Sequence, residues 1–160
     1  MAKNDKTNAM RILEQKKIPH KVNLYECDEF IDAVKIADQL GQPYESSYKT
    51  LVTIGAKGGY FVFLVPIAQE LDMKKAAKSV GQKSVEMIHV KDINAVTGYI
   101  RGGCTPIGMK KQYPTVIDQS ARQFDEIIIS AGRIGAQIII DPNNLQKVTG
   151  AEFVDIIKEI

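Results

Sequence analysis

A lysine stands at the entrance of an apolar run in "SYKTLV", residues 47 to 52, where Lys49 is followed by Thr50 and a β-rich stretch. About fifty residues on, "GYIRGGCTPIG", residues 98 to 108, packs four glycines and a proline into eleven positions. A lysine in such a place can hold an anionic group through charge-assisted hydrogen bonds. Glycines let the backbone approach a ligand closely, because no Cβ stands in the way. Each stretch alone reads equally well as a strand-edge lysine and a turn. Together they are candidate walls of one pocket.

Other chemistries find little support. His20 and His89 lie in unrelated segments without metal-ligand spacing, so no metal is expected. A catalytic cysteine needs a neighbour that lowers its pKa, and no histidine lies near Cys104 in the chain, so a buried apolar thiol is expected there. There is no GxSxG elbow, Walker loop or dinucleotide fingerprint, and no cofactor is expected. "GAKGG" reads as a hairpin turn, and "SAGRIG" as a turn, since a strand and not a helix N-terminus follows it.

The elements that must position these residues follow from periodicity and turn chemistry. A helix is expected from about residue 5 to 16, ended by the Ile18-Pro19 step. "HKVNLYE" reads as a strand. Residues 29 to 40 place Phe30, Ala33, Val34, Ala37 and Leu40 at helical spacing, with Gly41 as the stop. "TLVTIG" and "YFVFLVPI" flank a glycine turn and predict a hairpin of strands buried on both faces or closed into a barrel. After Asp72 the chain predicts a helix with Met73, Ala76, Ala77 and Val80 inward and lysines outward. "SVEMIHV" is a short strand, and "KDINAVTG" a short helix ended by Gly98. "TVIDQSA", "EIIISAG" and "AQIIID" are strands, the last two joined around Arg133. Asp141 and Pro142 open a helix that Gly150 ends, and residues 151 to 160 fit helix or strand. The sum is an α/β protein of α+β type, with a mixed, barrel-like, largely buried sheet flanked by helices and no regular βαβ repeat.

With 160 residues, 44% of them hydrophobic, the chain reads as one domain, residues 1 to 160, able to bury a core without metal or disulfide. Two cysteines without framework spacing, no apolar run near ~18 residues and a polar start lead to the expectation of a soluble cytoplasmic protein. The net charge of +2 rules out strong binding of polyanions by charge alone. Lysines nevertheless gather in "MKKAAKSVGQK" (Lys74, Lys75, Lys78, Lys83) and "MKKQ" (Lys110, Lys111), as solvated faces or as modest contacts to nucleic-acid phosphates.

"SSYKTLV", "LDMKKAAKSVG", "TGYIRGGCTPIGMKK" and "VTGAEFVDI", in this order over nearly the whole chain, resemble the YbaK family of aminoacyl-tRNA deacylases. That family is similar to the editing domain inserted in bacterial prolyl-tRNA synthetases, and the "KKAAKSVG" segment is most like the Cys-tRNA(Pro) deacylase branch. The resemblance implies an editing enzyme that cleaves the ester of a wrongly charged tRNA. The substrate would be Cys-tRNA(Pro), with Cys-tRNA(Cys) or Ala-tRNA(Pro) as alternatives, and prolyl-tRNA synthetase a candidate transient partner. A synthetase pocket separates similar small amino acids by only ~1–3 kcal/mol, so such editing is required.

The same resemblance assigns the family's pocket lysine to Lys49, followed by Thr50. It puts aromatic pocket residues at Tyr25 and Phe30, the glycine loop at Gly102 and Gly103 before Thr105 and Pro106, and a pocket serine at Ser130. Thr105 stands where relatives often carry serine, and Ala131 where glycine is common, and both are expected to tune pocket width. The implied substrate is an activated ester, so stabilising its oxyanion matters most, and one such donor is worth ~3 kcal/mol. Backbone N–H groups at Gly102, Gly103 and Cys104 are candidate donors. For a cysteinyl ester the resemblance implies attack by the substrate's own thiol, with attack by water as the alternative. A non-catalytic tRNA- or nucleotide-binding module is the competing reading from another class.

Overall fold

A computed structural model of the chain describes residues 6 to 27 and 29 to 159. Helix α1 (Asn8–Gln15) begins where the Thr7 hydroxyl accepts the Met10 N–H at 3.2 Å, and it buries Ala9, Met10 and Leu13. The expected start at residue 5 lies outside the described residues. Strand β1 (Lys21–Leu24) follows. Helix α2 (Ala33–Leu40) is shorter than the spacing over 29 to 40 suggested. Asp32 is its N-cap, accepting from Val34 N–H at 2.8 Å, and a capping residue has extended backbone that ends a helix there. Phe30 therefore lies outside the helix and is 44% exposed.

The expected hairpin is β2 (Tyr48–Gly55) paired antiparallel with β3 (Tyr60–Pro66). Helix α3 (Met73–Ser79) starts at Asp72, whose carboxylate accepts from the N–H groups of Lys74 and Lys75 at 3.0 Å. β4 (Val85–Met87) joins the far end of β2, and α4 (Ile93–Thr97) ends at Gly98 in the left-handed region. β5 (Thr115–Asp118) lies parallel to β3. β6 (Ile127–Ser130) and β7 (Ala136–Ile140) form an antiparallel pair, and α5 (Pro142–Thr149) is capped by Asp141. The tail, ambiguous by pattern, supplies β8 (Glu152–Val154), because β5 offers it a parallel edge.

The strands form a five-stranded sheet, β4-β2-β3-β5-β8, and a three-stranded one, β1-β7-β6. The expected mixed sheet core is present, as two sheets that meet at a corner. There Ser47 bridges to Ile128, and Ile128 N–H donates to Ser46 O at 2.9 Å. β3 is apolar throughout because both its faces are covered. Val62 and Leu64 join one core with α1, β6, β7 and α5, while Phe61, Phe63 and Val65 join another under α3. Among the described residues no helix is long and apolar enough to cross a membrane.

Candidate active site

The corner between the sheets leaves a gap. β4 pairs only with Thr53 to Gly55 of β2, and the bridge to β6 holds only Ser47. The edge of β2 between them has no strand partner among the described residues. A pocket of about 350 Å³ opens there, walled by residues 47 to 51, residues 128 to 130, the start of α2 and the loop carrying Arg101, Gly102 and Cys104. This size suits a small ligand or one end of a larger one.

Lys49 lies on the unpaired edge. Burial pulls its ammonium below the ordinary lysine range, and the Asp32 and Glu70 carboxylates push it partly back. Glu70 is itself paired with Lys158 at 3.1 Å, and no ion pair to Lys49 forms among the described residues. Thr50 borders the same pocket, and its hydroxyl oxygen is buried with no hydrogen-bond partner among the described residues. Both side chains are thus available to a ligand.

The glycine loop faces them. Gly102 has φ +87°, and a Cβ there would meet Phe30 Cδ1 at 2.9 Å, so glycine is required by conformation and by contact alike. Its carbonyl accepts from the Ser130 hydroxyl at 3.4 Å, and the Arg101 guanidinium lies 4.1 Å over the Phe30 ring. Tyr25 closes the same side, held through its N–H to Gly135 O at 2.9 Å, with burial raising its phenol pKa. The structure therefore brings Lys49, Thr50, Tyr25, Phe30, Gly102 and Ser130 to one pocket.

Other expected site residues fall elsewhere. Gly103 does not border the pocket. Its N–H donates to Ile100 O at 3.0 Å, and a Cβ would lie 2.7 Å from Arg133 Cα, so this glycine lets two loops pack. The Gly102 and Cys104 amides make no hydrogen bond among the described residues, which leaves them as the candidate oxyanion donors. Thr105 and Pro106 are buried, Thr105 completely, and neither borders the pocket. Ala131 is also fully buried, its N–H donating to Ala136 O at 3.1 Å. Thr105 and Ala131, expected to tune pocket width, both pack behind the wall and do not border the cavity.

Cys104 does border the pocket, but burial pushes its thiol up to about 11. At neutral pH it carries very little thiolate, the form that attacks. Lys74, Lys78, Lys110 and Lys111 are exposed and do not border the pocket. Lys75 differs: its ammonium donates to Asp155 Oδ2 at 3.0 Å and Ile157 O at 2.9 Å, tying α3 to the C-terminal segment. As a phosphate contact it is already engaged.

Arg101, Asp32, Gln42 and Gln137 also line the pocket and were not picked out from the sequence as site residues. Arg101 sits inside the quoted glycine stretch, and Asp32 carried a cap signal that the helical spacing of Phe30 obscured. Gln42 and Gln137 form a reciprocal amide pair, at 2.8 and 3.0 Å, which Asn23 joins at 2.9 Å. Ninety-five positions apart, they gave no local sign.

Residues 29–148 match the aminoacyl-tRNA editing domain family. The chain is 49% identical over 152 residues to the Enterococcus faecalis protein named "Putative Cys-tRNA(Pro)/Cys-tRNA(Cys) deacylase EbsC", covering 94% of this chain and 93% of that protein. It is 27% identical over 97 residues to a proline--tRNA ligase of Trichlorobacter lovleyi, covering 61% of this chain and 17% of the ligase. A crystal structure of "a putative trans-editing enzyme for prolyl tRNA synthetase" superposes with a TM-score of 0.83 at 26% identity, over 98% of this chain and 100% of that one. The hypothetical protein APE2540 shares the fold, with a TM-score of 0.87 at 19% identity over 95% of this chain and 100% of its own. The family match spans most of the chain, the 49% identical relative is covered almost end to end, and the chain therefore belongs to the aminoacyl-tRNA editing domain family.

Proposed function

We propose that this chain is a trans-editing deacylase that removes cysteine from mischarged Cys-tRNA(Pro), with Cys-tRNA(Cys) as a further substrate, and that residues 1 to 160 act as one editing domain. The name of the E. faecalis relative supports the substrate class. The observation that carries the mechanism is a pocket with a lysine and a glycine loop but no activated protein nucleophile. Its one lining thiol has a pKa of about 11, and no histidine borders it among the described residues.

An amino-acid ester is already activated, so the pocket's tasks are to orient it and to stabilise charge. In this reading Lys49 holds the terminal nucleotide, and the Gly102 and Cys104 amides face the developing oxyanion. Ser130 fixes the Gly102 carbonyl and so the tilt of the donating loop. Tyr25 and Phe30 wall the pocket, and the unpartnered Thr50 hydroxyl bonds the substrate.

The substrate thiol supplies the nucleophile. Its pKa of ~8.5 leaves a few per cent thiolate near neutrality, which a hydroxyl does not. The sulfur bonds to the ester carbonyl carbon, the carbon–oxygen bond to ribose breaks, and the thiol proton ends on the ribose oxygen. The products are a thiolactone and free tRNA. Prolyl-tRNA synthetase presenting the mischarged tRNA is part of the proposal, because a net charge of +2 holds tRNA weakly on its own.

Single-turnover assays with Cys-, Ser-, Ala-, Pro- and S-methylcysteinyl-tRNA test this reading. Cys-tRNA is cleaved far faster than Ser-tRNA, which differs by one atom, and methylation of the sulfur stops the reaction while competition shows retained binding. Equal rates for Cys- and Ser-tRNA would remove the thiol mechanism in favour of activated water. Stable Cys-tRNA would remove the cysteine specificity, and stability of every charged tRNA in the set would remove the deacylase assignment.

A further inference from the structure

Three charged side chains border the pocket among the described residues: Lys49, Arg101 and Asp32. Arg101 lies over Phe30, while Lys49 and Asp32 bring opposite charges to the cavity without such a ring contact. Asp32 is close enough to stabilise the Lys49 ammonium through space, yet the two form no ion pair within 4 Å. Opposite charges lining one small pocket without touching suit a ligand that carries both signs.

The proposed substrate is of that kind. Its terminal nucleotide carries phosphate, and its amino acid carries a free α-amino group, with a pKa of ~7.7–8.0 in model compounds and so largely protonated at neutral pH. Asp32 is held in one orientation, because Oδ1 accepts the Val34 N–H at 2.8 Å. Oδ2 makes no hydrogen bond among the described residues. The N-terminal end of α2, positive by its dipole, would repel an ammonium if this carboxylate were absent.

We propose that Asp32 recognises the α-ammonium of the aminoacyl ester and so excludes N-blocked esters such as peptidyl- or N-acylaminoacyl-tRNA. The inference rests on the deacylase reading for its ligand. It adds a specificity element: the pocket reads the free amine as well as the side chain. Lys49 takes the phosphate end and Asp32 the amine end, and their separation within the cavity sets the register of the ester between them.

The test is binding of a non-hydrolysable probe, adenosine 5′-monophosphate carrying cysteine through a 3′-amide, compared with the same probe N-acetylated. Wild type binds the free-amine probe at least about tenfold more tightly, the scale of one charge-assisted hydrogen bond. Asp32→Asn caps a helix as well as aspartate does, so it keeps α2 while removing the charge. The preference in that variant falls to within about twofold, with an unchanged melting temperature. Lys49→Ala weakens both probes alike and keeps the ratio. Absence of binding by either probe, equal binding of both by wild type, or a preference that survives Asp32→Asn overturns the inference. A preserved preference in wild type that collapses in Asp32→Asn, alongside stability of every charged tRNA in the set, sustains the amine reading while the deacylase reading falls.

Discussion

Lys49 carries a cost that its surroundings do not fully offset. Burial lowers its pKa below 10.5, so the folded chain disfavours the ammonium relative to the unfolded chain. A lysine depressed in this way weakens the fold at every pH below its folded pKa. The penalty fades as pH rises from that value toward 10.5, because there the unfolded chain holds the extra proton. Lys49→Met is therefore expected to melt no lower than wild type at neutral pH, with the gap closing under alkaline conditions, while most deacylation disappears. Thermal melts and single-turnover rates measured side by side check this, and a clear drop in melting temperature at neutral pH would mark Lys49 as structural. Cys104 gives the opposite expectation. With its thiol at about 11, Cys104→Ala keeps at least a tenth of the activity, a barrier change under ~1.4 kcal/mol. A collapse in rate without unfolding would restore a covalent route through the protein.

Elements hold the pocket by their ends and their contacts. α2 starts where Asp32 caps it, so the same side chain that ends the helix borders the site. The loop of residues 101 to 104 is placed by Gly103, which packs against the backbone of Arg133 with no room for a Cβ. Gly103→Ala must push the two loops apart, a strain of about 1–3 kcal/mol. Urea titration should show that loss of stability, and deacylation should fall with it, because Gly102 and its Ser130 contact ride on the same loop. A variant with wild-type stability and activity would show that the loops separate freely. Caps, glycine stops and the β2–β3 hairpin were legible in the sequence, since each depends on a few neighbouring residues. The start of α2 was misplaced because apolar spacing continues through Phe30, and spacing does not mark where a cap interrupts it.

Charge operates over the whole molecule. The exposed lysines of α3 and of residues 110 to 111 lie outside the pocket lining, as contacts to the body of a tRNA whose end enters the cavity would. Affinity for tRNA is expected to fall with salt along a shallow slope, corresponding to about two to four phosphates. Replacing Lys74, Lys78, Lys110 and Lys111 with alanine flattens the slope. Lys75→Ala leaves the slope in place and lowers the melting temperature, since its ammonium binds Asp155 and Ile157 O. Affinity unchanged between low and physiological salt would reduce all of these lysines to solvated faces.

The sequence by itself determined the order of the elements and, apart from the tail, their kinds, together with the family and the two stretches that face each other. Periodicity, caps and turn glycines act within a few residues, and family motifs are read in chain order. Tertiary structure alone decided which side chains meet. Lys49 is paired across the hairpin with Val65, and Thr50 with Leu64, so alternation sends them to opposite faces of the sheet. Both border one pocket only because the edge between them lies unpaired at the corner of two sheets. The same long-range packing set Gly103 against the Arg133 backbone, buried Thr105 behind the wall and joined Gln42 to Gln137. Which strand edge stays open depends on every pairing in the fold, and no local stretch of sequence carries that information.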